Sequence, residues 1–489
     1  MPIIGRKAEL NLLKKMLSSK TAEFLAIYGR RRIGKTFLIR SFFEDKKVFF
    51  FNVTGVQNGP LEEQIRHFTK EIGRVFYHGA QLKEGKNWDS AFEMLTDAFK
   101  SLSKANKIVL FFDEFPWMAT KNSRLLQTLE YYWNQHWSRD KRIKLIICGS
   151  SASWIIEKIV NNKGGLYNRI TRNIYLEPFN LKDTRLFLSS LGVKLNNEQI
   201  LQIYMATGGV PYYLSKVERG LSASQNIEKL AFDRKSFLVE EFDNLFSSLY
   251  DDHETYIKIV RLIAKRRYGI GQEELLAHLG KAFHGNVGLK RLKDLQDASF
   301  IIAFKPHFHS RKGIYYKAID EYTLFYLDWI EPIKSTLLTK GSMKGYWEKQ
   351  QSSPAWYSWS GYAFESVCYK HLSQISRALN MSPTAIPNTW RYTSKKGAQE
   401  EQGAQIDLLF DREDDAITIC EIKYTDKPYV IDKQEAAKLR QKIAVFKAKT
   451  RTKKQIFLAI ISANGLKKTV YSEDMVDGLV TLDDLFTKG

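Results

Sequence analysis

At 489 residues the chain exceeds what one ordinary core fills, and length alone argues for about three domains. Its hydrophobic content of 44% and lack of low-complexity tracts are those of a globular protein, and no run of about 18 uncharged apolar residues exists that would span a membrane. The net charge of +21 points to a polyanionic partner, DNA or RNA, although a generally lysine-rich proteome would give the same balance.

The opening "MPIIGRKAEL" meets charge by residue 6 and is not read as a signal peptide. Cys148, Cys368 and Cys420 lie far apart in apolar runs, which predicts reduced, buried thiols in a cytoplasmic protein and no zinc site.

The first strong signal is "FLAIYGRRRIGKTFLIRSFF". An apolar strand, Phe24 to Tyr28, runs into Gly29-Arg30-Arg31-Arg32-Ile33-Gly34-Lys35-Thr36 and then an amphipathic helix, which is the phosphate-binding pattern in its required context. Glycines let the loop amides wrap phosphates, Lys35 would reach the β/γ-phosphates of ATP, and Thr36 would ligate Mg²⁺. The three arginines are either part of that cradle or ordinary solvated charge.

A second strand, "KIVLFFDEF", ends in Asp113-Glu114. Asp113 is expected in the Mg²⁺ shell and Glu114 as the residue that orients or deprotonates the attacking water. A third, "RIKLIICGSS", ends in Ser150-Ser151, either a polar sensor of the γ-phosphate or a cap for the next helix.

Together "PIIGRKAELNLLKKML", "GRRRIGKT", "LFFDEF", "CGSSASW" and "TGGVPYYL" resemble the prokaryotic P-loop ATPases of the AAA+/STAND lineage, members of which often carry a C-terminal PD-(D/E)XK nuclease-like domain. The resemblance implies that Ile4, Gly5 and Arg6 lie by the adenine and that Gly209 and Pro211 of a helical lid pack near the nucleotide. Arg169 or Arg172 would serve as an arginine finger only in a neighbouring subunit, which would make the protein a homo-oligomer.

Beyond the lid, "YIKIVRLIAKRR", "GQEELLAHLG" and "NVGLKRLKDLQDASFI" predict three helices. "IAFKPHFHSRKGIYYKAID" follows as a two-stranded wing with Ser310 to Gly313 at its tip, an order that looks like a winged helix. If its third helix entered a major groove, Lys290, Arg291 and Lys293 would be the contacts, although Asp294 and Asp297 dilute that charge and such domains also serve as packing pieces. Ile333 to Tyr357, with Trp347 and Trp356, reads as a connector that docks on a neighbour.

Near the C-terminus, "GAQIDLLFDREDDAITICEIKY" places charges inside apolar runs. As a hairpin of Ala404 to Asp411 and Ile417 to Tyr424, with Asp411 facing Ile417, the register sets Asp407 opposite Glu421. Leu409, Ile419 and Lys423 then share their face, while Ile406, Leu408, Cys420 and Ile422 point away. Opposed carboxylates destabilise a sheet, so a divalent metal is expected between them. The spacing resembles the PD-(D/E)XK core, which implies that Glu365 in "SGYAFESVCYKHL" completes a set binding Mg²⁺ or Mn²⁺ and that Lys423 acts beside the attacking water. The bland reading is a hairpin with a solvated row of charge.

The expected architecture is therefore α/β, with a P-loop NTPase parallel sheet (1–180), a helical lid (181–247), a winged-helix domain (248–335) and a connector with a mixed α/β restriction-endonuclease-like domain (336–489). The expected function is ATP hydrolysis coupled to a metal-dependent nuclease acting on nucleic acid, DNA in the first place. The rival expectations are a signalling or DNA-binding switch with an inactive nuclease scaffold and, more weakly, an ATPase that remodels protein.

Overall fold

The computed structural model describes residues 2–161, 164–166, 168–280, 283, 285–305, 313–341, 343–392 and 403–488. They form two compact units, Met1–Pro178 and Phe179–Gly489. Of the expected wing tip, Ser310, Arg311 and Lys312 lie outside the described residues.

The first unit is built on five parallel strands: β1 (Glu23–Tyr28), β2 (Val48–Thr54), β3 (Lys107–Asp113), β4 (Ile143–Gly149) and β5 (Arg172–Tyr175), in spatial order β2-β3-β4-β1-β5. β1 and β4 are buried at every position, which is why they read as unbroken apolar runs rather than alternating ones. β1 starts one residue earlier than expected because Glu23 is itself buried, bonded to Thr171 and Arg172. The order matters because β3, β4 and β1 are neighbours. Their carboxyl ends, carrying Asp113, Gly149 and the loop after Tyr28, therefore open side by side where the strand order reverses, the usual ligand crevice of such sheets.

The second unit begins with helices from Leu181 to Leu249 and continues with helices His253–Ala264, Gln272–Leu279 and Asn286–Asp297. The short strand β6 (Ile270–Gly271) joins β7 (Ile301–Phe304) and β8 (Tyr315–Ala318) in an antiparallel sheet of order β6-β8-β7. Then comes the helix Pro354–Lys370. The expected divisions at 247 and 335 fall inside this unit, and one of its apolar clusters draws residues from Phe179 to Phe486. The expected docking of the connector occurs here too: Trp347 and Trp356 are buried, with Trp347 edge-on to Trp329 at 5.1 Å and stacked with Phe232 at 5.3 Å.

The final sheet contains β9 (Ile386–Tyr392), β10 (Ala404–Asp411), β11 (Ala416–Lys423), β13 (Gln455–Ser462) and β15 (Gly478–Thr481) in order β15-β13-β11-β10-β9, with β12 (Tyr429–Val430) and β14 (Leu466–Lys467) paired apart from it. β9, β10 and β11 are antiparallel; β11, β13 and β15 are parallel. Helix Pro354–Lys370 covers one face through Phe364, Val367 and Cys368, and helix Lys433–Thr450 covers the other through Ala436, Leu439 and Phe446. The hairpin register is the expected one, Asp411 opposite Ile417, although the second strand ends at Lys423 rather than Tyr424.

One facial assignment is corrected. Ile406 packs with Leu409, Ile417 and Ile419, not with Leu408 and Cys420. The reason is a bulge: β10 pairs Ile406 with Trp390 but Leu409 with Asn388, so one extra residue enters β10 next to Asp407 and breaks the alternation.

Two features tie the second unit together at its start. Gly209 has φ +68°, and a Cβ there would meet the carbonyl oxygen of Phe179 at 2.1 Å, so the glycine is required by the chain crossing itself. His371, fully buried, faces the Val367 carbonyl with Nδ1 at 2.7 Å, and its Nε2 accepts from the Leu181 amide at 3.0 Å. This pattern needs a neutral ring, and burial lowers the pKa from 6.5 to about 4. The unfolded ring takes a proton that the folded one refuses, so His371 supports stability above the unfolded pKa and that support is lost as pH falls toward 4. Urea unfolding of wild type should weaken by on the order of 1–3 kcal/mol between pH 7 and 4 relative to His371→Gln; parallel pH profiles for the two proteins would contradict this role.

Candidate functional site

The phosphate loop leaves β1 through Gly29, whose φ of +140° and carbonyl contact, 2.3 Å from any Cβ to Leu176 O, admit no side chain. Gly34 then starts the helix Lys35–Phe43 in a left-handed conformation. Lys35 is buried, and its ammonium donates to the carbonyls of Gly29 and Arg30, both at 2.9 Å, and to Ser150 Oγ at 3.2 Å. Thr36 Oγ1 donates to Asp113 Oδ2 at 2.9 Å. Burial, then the neighbouring Glu114, pushes the Asp113 carboxyl up, against hydrogen bonds from Cys148 and Thr36. Both groups offer hard oxygen atoms at one point of the crevice, so they fit the Mg²⁺ of a nucleotide.

Glu114 is left-handed at φ 45° and directly precedes the short helix Phe115–Met118. It accepts from the Ser150 amide at 3.0 Å and from Ser150 Oγ at 2.5 Å. Ser150 thereby joins the lysine of one motif to the glutamate of another. The alternative of helix capping finds no support, since Ser151, the residue before helix Ala152–Ile155, makes no side-chain cap bond.

The arginines divide. Arg30 is buried, at 2% exposure, so it is not ordinary solvated charge, whereas Arg31 and Arg32 are half-buried. Arg6 donates to the Ile33 carbonyl at 3.2 Å, fixing the segment of Ile4 and Gly5 against the loop. Of the two finger candidates Arg169 is exposed, while Arg172 is held by Glu23 at 3.1 Å. Pro211, like Gly209, belongs to the second unit, where it begins helix Pro211–Leu214.

Of the C-terminal charges, Lys423 stands beside Glu421 as expected, while the acids find other partners than a shared centre. Glu421 is clasped by Lys442 at 2.5 Å and Lys423 at 2.9 Å, and Lys423 also reaches Glu435 at 3.6 Å. Asp407 sits in the bulge and accepts from Gln405 at 2.9 Å; burial and then Glu421 raise its pKa. Glu365 lies 3.5 Å from Lys317 of β8, and burial pushes its pKa to about 7, opposed by Lys317 and assisted by Asp407 and Glu421.

The three acids therefore repel one another from both faces of the sheet. Their oxygen chemistry suits a divalent cation, but among the described residues no three His, Cys, Asp or Glu side chains are gathered to hold one. The expected convergence is not assembled among the described residues; Glu421 and Glu365 are paired with lysines and Asp407 with Gln405. Lys442 and Lys317 escaped the sequence reading. Lys442 sits on the helix after the hairpin, where a search for the motif's helix partner would have found it; Lys317 comes from another sheet and left no local signal.

On the helix expected to read a groove, Arg291 is bonded to Asp252 at 2.8 Å and lies 5.2 Å from the centre of the Phe283 ring.

Residues 3–217 match the model of an ATPase domain predominantly from Archaea. An uncharacterized protein of Methanocaldococcus jannaschii is 29% identical over 86% of this chain and 88% of its own length. An uncharacterized ATP-binding protein of the same organism is 24% identical over 54% of this chain and 83% of its own. Among solved structures, the Walker-type ATPase of Pyrococcus abyssi superposes with a TM-score of 0.48 at 17% identity, covering 66% of this chain and 96% of that one. A Signal Transduction ATPase with Numerous Domains from Pyrococcus horikoshii gives 0.29 at 16% identity, covering 77% and 51%. Over residues 3–217 the chain is therefore similar to ATPase domains found predominantly in Archaea.

Removal of the Lys35 ammonium should abolish nucleotide binding in Lys35→Ala. Glu114→Gln should bind ATP normally and lose turnover by about 100-fold or more if the carboxylate orients or deprotonates the attacking water, since the amide keeps the shape and removes the charge. Isothermal titration with ATP and steady-state phosphate release would separate the two effects, and normal hydrolysis by either variant would contradict the assignment.

Proposed function

We propose that the protein is an ATP-driven nuclease of the cytoplasm, in which ATP hydrolysis in the first unit governs phosphodiester cleavage of nucleic acid, DNA in the first place, by the C-terminal sheet. The observation that carries the second half is the order of elements. A helix bearing Glu365 precedes three antiparallel strands, of which β10 bears Asp407 and β11 bears Glu421 and Lys423, and a crossover helix then leads to a parallel strand. That order resembles the PD-(D/E)XK core, and it supports reading these four residues as its motif. The three helices followed by β7 and β8 have the order of a winged helix, which would add a second contact to nucleic acid through Lys290 and Lys293.

On the ATPase side, the loop amides from Gly29 to Thr36 would hold the phosphates, Lys35 would exchange its two carbonyl partners for phosphate oxygens, and Glu114 would orient the water once it leaves Ser150. Thr36 and Asp113 would hold Mg²⁺, which supplies charge neutralisation. On the nuclease side Glu421 is engaged by Lys442 and Lys423, and Glu365 by Lys317. That same engagement favours the second reading, an ATP-dependent switch with a silent nuclease scaffold.

One assay divides them: full-length protein with plasmid, single-stranded DNA or RNA, in Mg²⁺ or Mn²⁺, with and without ATP. The nuclease reading expects metal-dependent cleavage that is lost in Asp407→Ala and in Lys423→Ala while ATP hydrolysis persists. Absence of cleavage by wild type under every condition leaves the switch. The charge of +21 sets a companion expectation, a steep fall in nucleic-acid affinity between about 50 and 200 mM salt as counterion release diminishes. A flat salt response would remove nucleic acid as the partner.

A further inference from the structure

Lys317 is a lysine in an unusual place. It lies on β8, is 5% exposed, and points its ammonium at Glu365 across 3.5 Å, with the ring of Tyr369 at 4.7 Å and that of Tyr362 at 5.5 Å. Burying an ammonium is costly unless an opposite charge and polarisable neighbours replace its water, and helix Pro354–Lys370 supplies all three groups. The docking extends further along the same boundary. Arg267, just before β6, donates to Ser358 Oγ at 2.8 Å and lies 5.4 Å from the centre of the Tyr362 ring, and Arg391 of β9 lies 4.9 Å from that of Tyr268. The cavity left between Tyr268, Phe304, Lys317, Glu365, Arg391 and Asp407 is about 30 Å³, room for a water or two and not for a phosphodiester.

We propose that the β6-β8-β7 sheet is an internal plug of the C-terminal acidic site, with Lys317 as a tethered cation in the place of a divalent metal. The proposal deepens the nuclease reading and rests on it. It accounts for acids that suit a metal yet are not gathered around one: the charge a cation would supply is already present, and it is covalently attached to the chain. Withdrawal of the sheet would remove the ammonium from Glu365 and widen the cavity in one movement, so the same contact governs metal entry and substrate entry. The site is then silent until the plug leaves.

The test measures metal rather than cleavage. Mn²⁺ is titrated into nucleotide-free, full-length protein, and the paramagnetic resonance signal of the free ion is followed. Lys317→Met keeps the stem between Tyr362 and Tyr369 and removes the charge; it should bind Mn²⁺ at least about tenfold more tightly than wild type, and adding Asp407→Asn should erase the gain. Lys317→Arg should resemble wild type. Arg267→Ala, which loosens the docking without entering the acidic site, should tighten binding by about threefold. Equal affinity in wild type and a folded Lys317→Met overturns the plug, as does failure of that variant to bind Mn²⁺. If Lys317→Met does not fold, unchanged affinity in Arg267→Ala overturns it. Tighter Mn²⁺ binding without cleavage leaves the plug and removes the nuclease, whereas cleavage by wild type with unchanged Mn²⁺ affinity in Lys317→Met does the reverse.

Discussion

A carboxylate drawn out of water must find a countercharge or hydrogen-bond donor inside the protein, and both candidate sites of this chain are organised by that requirement. In the first unit Glu114 takes the amide and hydroxyl of Ser150, whose hydroxyl is also bonded to Lys35. In the second, Glu421 takes Lys442 and Lys423, and Glu365 takes Lys317. The partners come from distant stretches of sequence, so each pairing is also a statement about the fold. β4 must lie beside both β1 and β3 for Ser150 to reach Lys35 and Glu114, and β8 must lie against helix Pro354–Lys370 for Lys317 to reach Glu365.

How much of this was legible in the sequence depended on range. The phosphate loop and the acidic end of β3 were readable because their chemistry is local: a glycine pattern between a strand and a helix, and carboxylates at the end of an apolar run. The hairpin register was readable for a similar reason, since a short loop fixes pairing arithmetically. The bulge beside Asp407 was not. It is set by how β9 pairs with β10, and a stretch outside the described residues separates those strands. Lys317 was the least legible, since on a short strand of a small sheet a lysine ordinarily faces solvent and nothing nearby marks it as buried.

The same distinction explains Ser150. As a serine after a strand it was equally suited to sensing phosphate or capping a helix. Only the adjacency of three strand ends gives its hydroxyl two partners of opposite character, an ammonium and a carboxylate. A hydroxyl can accept from one and donate to the other, which neither an alanine nor a second charge can do. Residue type was visible in the chain, and role was decided by parallel pairing.

The two sites also differ in what their internal pairings leave to be gained. Lys35 is held by two backbone carbonyls and one hydroxyl, all neutral acceptors. An anionic phosphate is a stronger partner for an ammonium than a neutral carbonyl, so nucleotide can displace these bonds by direct competition. Glu365 is held by a full opposite charge in a buried setting, with aromatic faces around that charge, and a hydrated metal arriving from solvent must shed water to compete with it. The first pairing therefore yields to ligand alone, whereas the second yields most readily to a movement that withdraws the lysine. The chain therefore contains one pairing with neutral acceptors and one with a full countercharge, and the two differ in how readily a ligand replaces them.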